Sequence, residues 1–223
     1  MRHAYLPAFL LAACGGTSEP TPSTDLATSE LALSATVRSN GNIAQAQASL
    51  SEADYSAVLL RAPDRLLLAA GGVETPFVSI PSGYVGQLAT TETDFAVIVE
   101  RAGGVRIKSA LSLPPPFVLI PPPPPVSLSQ PMTFTWDLDP GDFQTSIRVT
   151  SPCFAPIQRG LTMDTGGYTL QPADLAIVAG VTTCDVEVEV TRSSQSGTIA
   201  VELAPAGSMS ASQIRTIQFS ATP

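Results

Sequence analysis

Along most of the chain, apolar and polar residues alternate one by one. Leu31, Leu33, Ala35 and Val37 alternate with small or polar neighbours, and Ala44, Ala46, Ala48 and Leu50 alternate with Gln45, Gln47 and Ser49. A period of two sends successive side chains to opposite faces, so these runs predict half-buried strands. Ser39-Asn40-Gly41-Asn42 lies between them. Asn-Gly between alternating runs predicts a hairpin, because both turn residues need positive φ. Further strands are predicted at 65–69, 73–80, 84–89, 95–100 and 105–111, punctuated by Gly71-Gly72, Pro81-Ser82-Gly83 and Gly103-Gly104. In AVLLRAPDRLLLAA (57–70), Arg61, Pro63 and Asp64 divide the run into two strands or a strand and a turn.

The pattern resumes at Met132. Phe134 and Trp136 share one face, Phe143, Thr145, Ile147 and Val149 follow, and Cys184, Val186, Val188 and Val190 alternate with Asp185, Glu187, Glu189 and Thr191. Ile199, Val201 and Leu203 repeat the alternation, and residues 214–221 close the chain. Between the two patterned regions lies LPPPFVLIPPPPP, residues 113–125. Its five consecutive prolines predict a stiff extended segment of about 15 Å at ~3.1 Å per residue. We read it as a rigid connector in which Phe117–Ile120 pairs as an edge strand; a role as a ligand for SH3-like partners conflicts with the export signal described below. The fold class is therefore all-β, with β-sandwich domains at 30–112 and 126–223 on either side of a Pro-rich connector at 113–125. PMTFTWDLDPGDFQTSIRV and GGYTLQPADLAIVAGVTTCDVEVEV resemble strands of fibronectin type III and immunoglobulin-like sandwiches. The resemblance covers about 100 residues. It implies that Trp136 lies in the C-terminal core; Cys184 stands where that family often has a corner tyrosine.

The N-terminus follows a different rule. Arg2 and His3 precede an apolar run from Ala4 to Ala13 that contains Pro7. The run is too short to cross a bilayer core of ~30 Å, and a basic start with a short apolar segment marks a secretory signal. Leu11-Ala12-Ala13-Cys14 resembles the lipobox of bacterial lipoproteins. That resemblance implies cleavage after residue 13 and acylation of Cys14, which becomes the first residue of the mature chain. Residues 14–29, rich in Gly, Ser, Thr and Pro, then read as a flexible lipidated tether. Gly15 is not the aspartate that resembles an inner-membrane retention signal, so the outer membrane is expected, with the domains facing the periplasm or the cell surface. The whole chain resembles two-domain bacterial lipoproteins, a resemblance that implies no activity.

Charge narrows the range of partners. The formal net charge is −8, and losing Arg2 with the leader makes the mature chain one unit more negative. A nucleic acid or an anionic headgroup surface needs a basic face, so neither is expected as a partner. Charged residues make up only 13% and hydrophobic ones 44%, enough to build packed cores. Cys153 and Cys184, with thirty residues between them, are expected to form a disulfide in an oxidising compartment. Such a closure stabilises by about 3–4 kcal/mol on the chain-entropy account.

Little catalytic chemistry is present. The one histidine, His3, leaves with the leader, which rules out a Ser-His-Asp or Cys-His unit in the mature chain. Lys108 is the single lysine, on a predicted strand, and no GxSxG, P-loop or dinucleotide fingerprint occurs. Asp137, Asp139 and Asp142 offer three carboxylates to Ca²⁺. The EF-hand glutamate is missing, however, and Asp-Pro-Gly-Asp is ordinary turn chemistry, so no metal and no cofactor is assigned. The expected function is a non-catalytic binding or structural module of the cell envelope, anchored in the membrane, with an envelope protein or glycan as its class of partner. Two alternatives stay open: a calcium-dependent or carbohydrate-binding module, which needs an exposed aromatic platform among Tyr55, Tyr84 and Tyr168, and a histidine-free hydrolase using paired carboxylates.

Overall fold

The structure, a computed structural model, describes residues 19–223 apart from 139, 140, 142, 162 and 196. The first half carries β1 (Thr21–Pro22), β2 (Ala32–Ser39), β3 (Ile43–Ser51), β4 (Val58–Leu59), β5 (Arg65–Ala70), β6 (Val73–Pro76), β7 (Val78–Ile80), β8 (Gly83–Ala89), β9 (Asp94–Glu100) and β10 (Arg106–Ser112). The second half carries β11 (Leu119–Ile120), β12 (Met132–Trp136), β13 (Gln144–Ser151), β14 (Phe154–Leu161), β15 (Gly167–Leu170), β16 (Cys184–Ser194) and β17 (Ser208–Ala221). The described residues contain four 3-10 turns and no α-helix. The protein is an all-β sandwich fold.

One eight-stranded sheet, in the order β14-β13-β16-β17-β2-β3-β8-β7, runs through both halves. A four-stranded sheet, β10-β9-β5-β6, faces its first half, and a three-stranded sheet, β11-β12-β15, faces its second. Each pairing encloses its own core. Leu31, Leu33, Val37, Leu66, Leu68 and Val97 centre the first, and Phe134, Trp136, Ile147, Val188 and Leu170 the second. Burying a side chain of this size contributes about 1.5–3 kcal/mol. The hairpin at Asn40-Gly41 forms, but only Gly41 of the pair takes positive φ, at +98°. Asn40 instead flanks the turn, its amide donating to the Ile43 carbonyl and its carboxamide accepting from the Asn42 and Ile43 amides.

Strand β17 joins the halves. Along its length it pairs antiparallel with β16, from Cys184↔Ala221 to Ser194↔Ala211, while its first part pairs parallel with β2 from Ser208↔Ser34 to Gln213↔Ser39. Its inward residues change character on the way. Phe219 and Ile217 line the second core, Arg215 and Gln213 follow, and Ala211 and Met209 line the first core. A polar band thus separates two apolar cores on one face of one sheet.

Four expectations are corrected. Residues 19–29 are not a free tether, because β1 pairs with β4 and Ser23 is fully buried. The run 73–80 is two strands in different sheets, since the chain crosses at Phe77, whose amide donates to the Leu66 carbonyl while its ring packs towards the first core. Residues 199–203 form no strand: the Leu203 amide closes a turn onto the Ala200 carbonyl, and Val201 points into solvent at 93% exposure. Ile199, Leu203, Met209 and Ala211 pack in the first core, so the second domain is not a self-contained 126–223. Gly207 permits that return, because a Cβ there would stand 2.2 Å from the Leu33 carbonyl oxygen.

Candidate functional site

The residues singled out from the sequence fall in several places. Cys14 lies outside the described residues. Cys153 and Cys184 form a disulfide with Cα atoms 5.8 Å apart, buried at the end of the second core. Of the three carboxylates considered for Ca²⁺, Asp139 and Asp142 lie outside the described residues. Asp137 accepts a hydrogen bond from the Val118 amide at 3.0 Å, which fastens the connector to β12. Among the described residues, no three His, Cys, Asp or Glu side chains gather around a metal-sized space.

The acidic ladder of β16 faces outward as its alternation requires. Asp185 accepts from the Ser220 hydroxyl at 3.0 Å, and Glu187 from the Gln218 carboxamide at 2.7 Å. Lys108 is exposed and stands across from Ile98, which is buried with Leu67 and Ala96 on the outer face of the four-stranded sheet. Tyr84 is buried, its hydroxyl accepting from the Leu60 amide at 2.7 Å, and Tyr168 packs against the second core. Only Tyr55 of the three tyrosines is well exposed, so they form no aromatic platform.

The most highly organised polar group lies in the band between the cores. Asp164 receives the Trp136 indole N–H at 2.7 Å, the Arg192 Nε–H at 2.6 Å and the Gly166 amide at 3.0 Å. Arg192 also donates to the Asp137 carbonyl and lies 4.6 Å over the Phe117 ring. Arg215 donates to the Phe117 carbonyl at 2.9 Å and lies 5.4 Å from the same ring. Arg192 and Asp164 are almost wholly buried, at 1% and 2% side-chain exposure. Burial alone would raise the Asp164 carboxyl, but the hydrogen bonds from Trp136, Gly166 and Arg192 outweigh it and hold it below the ordinary carboxylate range. Burial pushes the Arg215 guanidinium down, yet guanidinium titrates so high that it stays charged.

The alternation of β16 was enough to find Arg192, because it occupies the inward position two residues past Val190. Nothing local marked Asp164, which lies outside any strand and is paired through the fold.

A second group anchors the chain's beginning. The carboxylate of Asp64 accepts from the Ser23 hydroxyl at 2.9 Å and the Ala102 amide at 3.1 Å, with Arg101 at 3.5 Å. The same Ser23 hydroxyl accepts from the Arg61 amide, and Arg101 donates to the Leu26 carbonyl at 2.6 Å. In both groups most polar atoms are directed at one another, although the buried Arg101 Nη1 makes only the ion pair with Asp64 and no hydrogen bond. Each group is a clamp that ties separate segments of the chain together.

No protein-family model and no curated protein sequence matches the chain. Among solved structures, it is similar to Salmonella alpha-2-macroglobulin, in a mutant form at 12% identity and in the form reacted with methylamine at 13%. Both alignments cover 98% of this chain with a TM-score of 0.29. It is also similar to the FN1–FN3 domains of chicken CNTN1, at 13% identity over 92% of this chain, again with a TM-score of 0.29. The chain spans 16% of the length of the macroglobulin chains and 70% of the CNTN1 chain. The sandwich architecture stands on the strand pairing and the two cores.

Proposed function

We propose that this chain is a lipid-anchored, non-catalytic binding or structural module of the cell envelope, attached to the outer membrane through an acylated Cys14. The observation that carries this reading is the leader ending in Leu11-Ala12-Ala13-Cys14 ahead of a histidine-free mature chain. The two clamps fit it, because their buried charges serve to fix domains and leave no reactive side chain exposed at either group. Two rigidly joined sandwiches on a lipid anchor suit a module that holds a binding face away from a bilayer. More than one acyl chain is needed for stable attachment, as each buried CH₂ contributes only ~0.8 kcal/mol.

Membrane fractionation with metabolic fatty-acid labelling tests the anchor. The wild-type chain is expected in the detergent phase with label on the N-terminal cysteine, and Cys14→Ser in the soluble fraction without label. A Cys14→Ser variant that still partitions with membranes would show that the anchor lies elsewhere.

A further inference from the structure

The outer face of the eight-stranded sheet differs between its two halves. In the second half two of the three outward acids of β16 are already engaged, Asp185 by Ser220 and Glu187 by Gln218. In the first half, Arg38 on β2 stands opposite Gln45 on β3, which stands opposite Gln87 on β8, so the three form a row across three strands. Gln47 lies in the next row, opposite Val85. These four side chains border one open groove of about 690 Å³. All four are exposed, and none bonds to another described side chain or backbone group. Among the described residues lining the groove, Arg38 is the one that is charged, on a chain whose net charge is −8.

We propose that this groove binds a saccharide carrying a carboxylate group. A primary carboxamide both donates and accepts, as a sugar hydroxyl does, so three carboxamides in adjacent rows match a run of hydroxyls. The guanidinium fork of Arg38 takes the carboxylate through two parallel N–H bonds. Pro76, Val78 and Val85 give the groove an apolar wall for the C–H edges of the ring. The adjacent sheet edge disfavours an extended peptide: β7 has three residues, and Pro76 and Pro81 around it present no N–H. The proposal deepens the non-catalytic binding reading but does not use the anchor, so either can fail while the other stands.

The test is an NMR titration of the ¹⁵N-labelled full chain in detergent micelles. The probes are a hexasaccharide alternating glucuronate and N-acetylglucosamine, its carboxyl-reduced neutral counterpart, and poly-glutamate as an anion without hydroxyl rings. The acidic hexasaccharide is expected to shift the side-chain amides of Gln45, Gln47 and Gln87 and to bind about tenfold tighter than the neutral one, as a hydrogen bond to a charged partner warrants. Arg38→Gln should abolish that preference and keep the residual neutral binding. Gln45→Ala with Gln87→Ala should weaken both sugars by a further tenfold or so, with an unchanged amide spectrum elsewhere showing that the fold is intact. The proposal is overturned by no groove shift with the acidic sugar at tens of millimolar, by equal affinity for both sugars, by an indifferent Arg38→Gln, or by poly-glutamate binding as well as the sugar.

Discussion

The two halves of the molecule use the same device at different places. Each buries one carboxylate and surrounds it with donors, Asp64 in the first half and Asp164 in the second. The second half adds a disulfide and fastens its clamp onto its own strands and the connector. Among the described residues the first half has no disulfide, and its clamp grips Ser23 and Leu26, near the beginning of the described chain. Its sheet is also completed by residues 208–213, from near the other end. Completeness is therefore unequal. The second half is closed by local covalent and ionic links, whereas the first is assembled from both ends of the chain.

The largest expected effect comes from cutting the chain in the connector. A fragment of residues 19–125 lacks Leu203, Met209 and Ala211 from its core and leaves the backbone of β2 unpaired on one side. It is expected to give a collapsed NMR spectrum without the dispersion of a packed sandwich. The fragment 113–223 keeps its disulfide, its clamp and all residues of its own core. It should fold, with blue-shifted Trp136 emission that resists acrylamide. A well-dispersed spectrum from 19–125 would mean that β17 decorates the first half rather than completing it.

Much of this arrangement was legible in the sequence, and the exceptions share a cause. The alternating runs located β2, β3, β8, β10, β12 and β16, because each of those strands has one buried face whose period is its own, whereas β5 and β9 read as continuous apolar runs because both of their faces are buried. Leu119–Ile120 pairs with β12 at the edge of the three-stranded sheet, as the connector reading expected. The tether assignment failed at Ser23 because composition reports what a segment lacks. It cannot report that a distant buried carboxylate, Asp64, requires a donor. Residues 199–203 alternate as a strand does, but Pro205 and Gly207 bend the chain towards Leu33. The parallel pairing of β17 with β2 joins positions far apart in the chain, and no local pattern records such a partner. In the candidate groove, alternation placed Gln45 and Gln47 on the outer face. That Arg38 and Gln87 join them follows only from the register of three strands.

A smaller effect comes from breaking the second clamp by one residue. Arg192→Met leaves the Asp164 carboxylate buried with one charged partner removed, and such a change costs about 3–5 kcal/mol. Urea unfolding followed by Trp136 emission measures it. Replacing both partners, with Arg192→Met and Asp164→Leu, removes the orphaned charge and should recover a large part of the loss. The Trp136 indole then lacks its acceptor, so recovery stays incomplete. If the double variant is as unstable as Arg192→Met alone, the clamp acts through packing and not through charge.

Acid gives the smallest and most local difference between the halves. The folded Asp164 carboxyl titrates below its ordinary value, because the hydrogen bonds from Trp136, Gly166 and Arg192 outweigh the effect of burial. A depressed carboxyl contributes stability that is fully present above the unfolded value of ~3.9 and is lost as pH falls through the lower folded value. In that window the unfolded chain takes up a proton that the folded chain refuses, so stability falls with falling pH. For one proton the slope cannot exceed about 1.4 kcal/mol per pH unit. Asp54 in the first half is held low as well, chiefly by the Ser56 amide, but it sits in an exposed turn and titrates far from Trp136. Unfolding of 113–223 at pH 5, 4 and 3 therefore isolates the second clamp. The wild-type fragment should lose stability faster between pH 4 and 3 than Asp164→Asn, whose neutral side chain binds no proton in either state. Parallel slopes for the two would show that the acid response of the second half does not come from Asp164.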